Sequence, residues 1–274
     1  MMPLHLRLVR HGESEGNVAT AASLRGDDSY YTPEFLVRHS RDWRLTPKGR
    51  GQAGTAGEWL REVTFGRYYS RYLVSDYLRA RETAALLNLP EAQWNIDINL
   101  RERNWGEADV MTHGERQRRF AEIFAAKKRN SFLWTPPNGE DMPTVCMRVR
   151  NTLDTLHREC ADGNVIIVCH GEVMWAFRMM IERLTMEEWN RLDASDDPRD
   201  SIHNCQVLEY TRQNPDDPSD IRKHMEWMRS TLPTNPSRSH NVWMPIPRRT
   251  WSNEELLASL DQVIIPVTPA LDPP

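Results

Sequence analysis

The sequence predicts an α/β fold, a three-layer α/β/α sandwich built on a mainly parallel sheet. Three observations lead there. Short apolar runs at 4–9, 72–75 and 164–169 alternate with helical patterns over most of the chain, as crossover connections between parallel strands require. The run Asn164-Val165-Ile166-Ile167-Val168-Cys169 is the most strongly apolar and suits a central strand covered on both faces. Two of the runs end in the same dipeptide, at His11-Gly12 and His170-Gly171.

The 274 residues, 39% of them hydrophobic, are enough for one sizeable core. A net charge of -4 and a pI near 6.2 argue against a dedicated nucleic-acid binder. No segment reaches the apolar length that spans a bilayer. No basic stretch followed by a hydrophobic one precedes the first strand, so no signal peptide is expected. Cys146, Cys160, Cys169 and Cys205 contain no Cys-x-x-Cys pair and read as reduced thiols of a cytoplasmic protein. Many of the 18 prolines fall after residue 196, with Trp227, Trp243 and Trp251 among them. This Pro/Trp-rich end, from 216 to 274, reads as an extension lying over one domain rather than a second core.

Leu4, Leu6, Leu8 and Val9 form the first strand, which stops at Arg10-His11-Gly12. The glycine permits a tight turn and close approach of backbone to ligand. A cation, an imidazole and exposed amides at a strand's carboxyl end suit an anion. Residues 18–44 read as a long loop with a helical piece at 34–38, forming either one wall of a site or a surface insertion. Thr46 caps the next helix, with Pro47 at its first position, and the glycines at 49, 51, 54 and 57 read as close packing on the sheet.

Tyr72-Leu73-Val74-Ser75 is a second strand and 76–87 a helix capped by Ser75 or Asp76. Arg79 sits in its first turn, just past a strand end; Arg79 and Arg81 are otherwise ordinary helix charges. Residues 94–100 give an edge strand that leads into Arg101-Glu102-Arg103, where the flanking cations keep the carboxylate ionised unless it is buried. The helix at 115–128 carries Arg116, Arg118, Arg119, Lys127 and Lys128, a solvated face or a cationic lid. A break at 136–141 precedes an amphipathic helix from 143 to 160. The central strand ends in His170-Gly171-Glu172, ahead of a helix at 173–184 whose N-terminus favours an anion. Residues 205–210 make the last strand. Ser252-Asn253-Glu254-Glu255 opens a short helix to about Val263.

With all these turns at strand carboxyl ends, Arg10, His11, Arg79, Glu102 and His170 converge on one pocket. Two guanidiniums can grip and neutralise a phosphoryl group. A histidine there can be a ligand, an acid/base or a nucleophile. With phosphate held by arginines the nucleophile becomes chemically sensible, and a carboxyl group can protonate the leaving oxygen.

At this point the chain resembles the histidine phosphatase superfamily, in the branch of cofactor-dependent phosphoglycerate mutases and related phosphatases. The matching pieces are Leu8-Val9-Arg10-His11-Gly12-Glu13-Ser14 with Asn17, Leu45-Thr46-Pro47-Lys48-Gly49 with Gln52-Ala53, and Ser75 with Arg79-Ala80 and Thr83-Ala84. Glu102 with Gly106, Gly139-Glu140 with Arg148, and Val168-Cys169-His170-Gly171 complete an ordered set from residue 4 to about 210. The resemblance implies a phosphoglycerate mutase-like catalytic domain at 1–215. It implies that His11 becomes phosphohistidine and that Arg10, Arg79 and His170 hold the transferred group. Asn17 and the Gly171 amide add hydrogen bonds. Glu102 protonates the leaving alcohol, then activates water. No metal and no cofactor are implied; the partner is a small phosphorylated substrate, with neither nucleic acid nor membrane, and a homo-oligomer stays open.

The departures point to a phosphatase. Mutases of the family carry a tryptophan before the asparagine and a Gly-Trp soon after; this chain has Gly16 before Asn17 and no such Gly-Trp. Asn104-Trp105-Gly106-Glu107 also departs from the mutase pattern, and Glu172 makes the pocket less welcoming to a second anion. The alternatives are a phosphoglycerate mutase or related phosphotransferase, and a catalytically silent phospholigand-binding scaffold.

Overall fold

The computed structural model describes residues 1–64 and 68–260. The strands are β1 (His5–Arg10), β2 (Arg71–Val74), β3 (Trp94–Ile96), β4 (Asn164–Cys169), β5 (Val207–Thr211), β6 (Trp227–Thr231) and β7 (Met244–Pro245). The helices are α1 (Glu15–Ser23), α2 (Pro33–Leu36), α3 (Pro47–Val63), α4 (Leu78–Leu86), α5 (His113–Lys127), α6 (Met142–Glu159), α7 (Gly171–Arg178), α8 (Met186–Asp193) and α9 (Asn253–Leu260). One sheet runs in the order β3-β2-β4-β1-β5-β6-β7. β3, β2, β4 and β1 are parallel; β5, β6 and β7 each run antiparallel to the neighbour before.

Side-chain alternation along the strands divides the core into two layers. Leu6, Leu8, Val165, Ile167 and Cys169 meet Val145, Val149, Leu156, Val173 and Phe177 of α6 and α7. Val9, Ile166 and Val168 meet Ala53, Ala56 and Leu60 of α3 and Ala80 and Ala84 of α4 on the opposite face. The result is the expected α/β/α sandwich. Its register places the site: Arg10 lies beside Cys169 and Val74 beside Val168. His11, His170 and Ser75 therefore emerge next to one another, from three adjacent parallel strands.

Several elements differ from expectation. Residues 15–23, expected to run into a loop at 18, form α1, because Ser14 and Asn17 make a reciprocal capping box with asparagine at its third position. The cap of α4 is Tyr77, with no side-chain capping bond; Ser75 accepts the Tyr77 N–H and faces His170 instead. The edge strand stops at Ile96 and gives way to a 3₁₀ turn at Ile98–Leu100. α7 starts at Gly171 and passes into a π-helical turn at Met179–Arg183. α8 is an element beyond those expected, opened by a capping box of Thr185 and Glu188. Of the α3 glycines, Gly49 and Gly57 press against backbone, whereas Gly51 and Gly54 face open space.

The strand at 207–211 is not the last. β6 and β7 extend the sheet, and Met225, Met228 and Ile246 enter the core. All four cysteines are free and buried. The end expected for the final helix, at about Val263, lies outside the described residues. No helix among the described residues is long and apolar enough to cross a membrane.

Candidate active site

Beyond the carboxyl ends of β1, β4 and β2 opens a cavity of about 190 Å³, lined among others by Arg10, His11, Asn17, Arg79 and Glu102. His11 is fixed in a defined tautomer. Its Nδ1 lies 2.7 Å from the Gly12 carbonyl oxygen, which can only accept, so the ring proton sits there. Its Nε2 accepts from Arg79 Nε at 3.1 Å, so the ring's lone pair is turned toward the Arg79 guanidinium. Burial, then the Arg79 and Arg10 charges, push the His11 pKa well below the ordinary value. The imidazole is thus neutral, as a nitrogen nucleophile must be.

His170 is fully buried, with Nε2 at 2.8 Å from Ser75 Oγ. Ser75 Oγ already accepts the Tyr77 N–H, at 3.3 Å. Ser75 is fully buried and its hydroxyl has no other acceptor among the described residues, so its proton goes to His170 Nε2 and the imidazole proton sits on Nδ1. Burial, followed by the Arg79 charge, also holds His170 far below its usual pKa. The two imidazole centroids are 5.1 Å apart.

The guanidiniums are anchored by backbone carbonyls. Arg79, 5% exposed, donates from Nη1 to Ser40 O at 2.7 Å and lies over the Tyr77 ring. Arg10 donates from Nη1 to Ile202 O at 2.6 Å. Arg10 Nε and His170 Nδ1 are both buried without a protein partner. Buried donors are normally paired, so these two stand out among the buried side chains around His11, although His170 itself does not line the cavity. The Gly12 amide donates to Thr83 Oγ1, and the Thr83 hydroxyl donates to Arg79 O, tying the first turn to α4.

Glu102 opens on the same cavity and accepts the Arg103 amide at 3.1 Å. Burial, then the nearby Glu172 carboxylate, push its pKa up to about 7, against the opposing pull of Arg79. Glu172 is itself held: Arg103 Nη1 donates to it at 3.0 Å and Trp105 Nε1 at 2.9 Å. Arg103 also donates to the carbonyls of Glu140 and Trp134, and Arg148 pairs with Glu140 at 2.8 Å. Arg116, from the helix read as a solvated face or lid, reaches the cavity but donates to Ala108 O and Asp109 O. Arg118, Lys127 and Lys128 do not line it.

The other expected residues lie close by. Asn17 Oδ1 caps α1 and accepts from Asn204 Nδ2, which also donates to His11 O at 3.1 Å. Gly171 lines an adjoining groove that shares Arg10, Glu102 and Glu172 with the cavity. Sequence reasoning missed Ser40, Trp43, Tyr77 and Asn204. Ser40 and Trp43 settle the role left open for residues 18–44, which do form a wall of the cavity. The Trp43 ring lies against Gly16, leaving no room for a side chain where the mutase pattern has tryptophan. No group of three or more His, Cys, Asp or Glu that could hold a metal ion occurs among the described residues.

Comparison with known proteins bears on the family and the fold. The family model "Histidine phosphatase superfamily (branch 1)" matches residues 6–215. The chain is 30% identical over 199 residues to a 2,3-bisphosphoglycerate-dependent phosphoglycerate mutase of Cytophaga hutchinsonii, covering 71% of this chain and 84% of the mutase. It is 29% identical over 172 residues to a Gallus gallus 6-phosphofructo-2-kinase/fructose-2,6-bisphosphatase, where the match spans 63% of this chain and 31% of that much longer protein. A mycobacterial glucosyl-3-phosphoglycerate phosphatase shares the fold with a TM-score of 0.60 at 22% identity, over 82% of this chain and 96% of that one. The match over 6–215 is to the same family as the one read from the motifs, and the chain belongs to branch 1 of the histidine phosphatase superfamily.

Proposed function

We propose that the protein is a phosphomonoesterase that works through a phosphohistidine on His11, with residues 1–215 carrying the chemistry. The observation that carries this reading is the neutral His11 Nε2, whose lone pair is held by Arg79 and whose neighbours Arg10 and His170 each have a buried nitrogen without a protein partner. A phosphoryl group bound there takes hydrogen bonds from both and draws Arg79 Nε away from His11. Nε2 then attacks phosphorus, the bond to the ester oxygen breaks, and that oxygen takes the Glu102 proton. In the second half, Glu102 removes a proton from water as the water oxygen attacks phosphorus. The P–N bond breaks and its electron pair returns to Nε2. Arg10, Arg79 and His170 stabilise charge on the transferred group through both halves. Asn17, through α1 and Asn204, and the Gly171 amide beside Arg10 support that cluster.

Hydrolysis is favoured over transfer by the mouth of the site. Of its further cations, Arg103 is paired with Glu172, and Arg116 is tethered by backbone carbonyls. A second anionic group, such as the carboxylate of a phosphoglycerate, would meet Glu172 and Asp109, with Arg116 as the lining guanidinium not in an ion pair among the described residues. The second reading, a phosphoglycerate mutase, is favoured by the 30% identity to one. Hydrolysis of p-nitrophenyl phosphate in excess EDTA, compared with His11→Ala, tests the proposal. Activity that survives EDTA and dies with His11 supports it. Interconversion of phosphoglycerates without net hydrolysis would replace it with the mutase.

A further inference from the structure

The segment Leu45-Thr46-Pro47-Lys48-Gly49 with Gln52, which opens α3, contributes no residue to the cavity over His11. It is nevertheless built closely around the turn that follows β1. A Cβ on Gly49 would strike the Glu13 carbonyl and one on Gly12 the Gly49 carbonyl, so backbone meets backbone there. Thr46 N donates to Glu13 O at 2.9 Å, and Lys48 Nζ reaches Glu13 Oε2 at 2.7 Å. Further along α3, Gln52 Oε1 accepts the Glu13 N–H at 2.9 Å.

That last bond holds one particular peptide. The Gly12–Glu13 unit is planar, with its C=O and N–H on opposite sides. Its N–H is the one Gln52 takes, and its C=O is the oxygen 2.7 Å from His11 Nδ1. The neighbouring peptides have other holders: Thr83 Oγ1 accepts the Gly12 N–H, and Asn17 Oδ1 the Ser14 N–H. Gln52 therefore fixes the far edge of the plane that receives the His11 proton. Gly12 has no side chain to oppose rotation of that plane. Half a turn would exchange carbonyl for amide, so Nδ1 would face a donor and the ring proton would move to Nε2. Nε2 would then have no lone pair to offer phosphorus.

We infer that Gln52 is a positioning residue for the nucleophile: through the Gly12–Glu13 peptide it keeps the His11 proton on Nδ1 and leaves Nε2 free to attack. Its consequence for turnover rests on the reaction proposed above for His11; the tautomer it sets does not. Three whole-chain variants test this. Gln52→Leu keeps similar bulk without an acceptor, Gln52→Asn withdraws the amide by one methylene, and Gln52→Glu retains an oxygen at the same reach. Nitrogen-15 spectra of histidine-labelled protein near neutral pH report which ring nitrogen carries the proton, and the His11 signals are those missing from His11→Ala. Wild type and Gln52→Glu are expected to show His11 protonated on Nδ1, whereas Gln52→Leu and Gln52→Asn show a substantial share on Nε2. With p-nitrophenyl phosphate, kcat is expected to fall about tenfold or more in those two, the scale on which a histidine's orienting partners act at metal sites, with KM within about twofold. Most of the loss should be recovered in Gln52→Glu. Gln52→Asn serves alone if Gln52→Leu fails to fold. A proton that stays on Nδ1 in every folded variant lacking the acceptor would overturn the inference, whatever happens to KM. A tautomer that moves without any loss of kcat would leave Gln52 setting the ring and remove His11 from the nucleophile role instead.

Discussion

Replacing Glu172 with Gln removes the charge that, after burial, does most to hold a proton on Glu102. The Glu102 pKa stands at about 7 against an ordinary 4.5. A carboxylate several ångströms away, at an effective dielectric constant of about 20, accounts for on the order of one unit of such a shift. The neutral amide has the same shape, and its oxygen would still accept from Arg103 or Trp105, so the loop keeps an anchor. The released Arg103 charge would act on Glu102 in the same downward direction. The alkaline limb of kcat/KM reports the free enzyme's essential acid. For an alkyl phosphate, whose leaving oxygen needs a proton, that limb should move from near pH 7 toward pH 6. For p-nitrophenyl phosphate, which leaves without one, the limb should hardly matter. An alkyl-phosphate limb that stays put, or moves upward, would refute the role given to Glu172 and the assignment of Glu102 as the acid.

Glu102→Gln itself should cost about 10²- to 10⁴-fold in kcat/KM on alkyl phosphates and far less on p-nitrophenyl phosphate; equal losses would mean that Glu102 binds or folds rather than donates. Stability should fall on acidification from pH 6 to 5. His11 and His170 are held below their unfolded value near 6.5, so the stability they lend to the neutral form is lost as pH drops through that value. Glu102 opposes this, because a raised pKa favours the folded state at low pH and loses that contribution as pH rises through about 7. Two protons against one leave a slope of about 1.4 kcal/mol per pH unit, steepening in Glu102→Gln and measurable by urea unfolding; a stability that rises over that interval would contradict the assignments. Gly57→Ala places a methyl against the Leu87 carbonyl and should destabilise by about 1–3 kcal/mol. Gly54→Ala, into open space on the same helix, should stabilise by up to about 1 kcal/mol. Thermal or urea unfolding of the pair checks both signs.

What can be read from the sequence follows from where side chains carry the information. β1 and β4 are apolar runs that stop at His-Gly, so their positions are visible in the sequence, while the register that sets His11 beside His170 comes from the fold. Arg79 and Arg81 look alike on the helix, yet one is 5% exposed and the other solvated, a difference set by the strand end before Arg79. β6 escapes because Trp227-Met228-Arg229-Ser230-Thr231 has no apolar alternation; its burial rests on pairing with β5 and on Glu209, which lies far away in sequence. α1 is hidden by an asparagine in the capping position expected of Glu or Gln. Ser40 serves through its carbonyl, which any residue offers, so no side-chain signal marks it. The partners of Glu172 come from nearly 70 residues upstream, and only the fold brings them to it.

The central claim, a covalent intermediate on His11, is tested most directly by acid quenching. Protein mixed with a ³²P-labelled phosphomonoester would be stopped within one turnover and the protein-bound label characterised. The account predicts label that is stable to alkali and labile to acid, as phosphorus on nitrogen is, and none in His11→Ala. Hydrolysis that proceeds in the wild type with no bound label, or label that persists in His11→Ala, would contradict it.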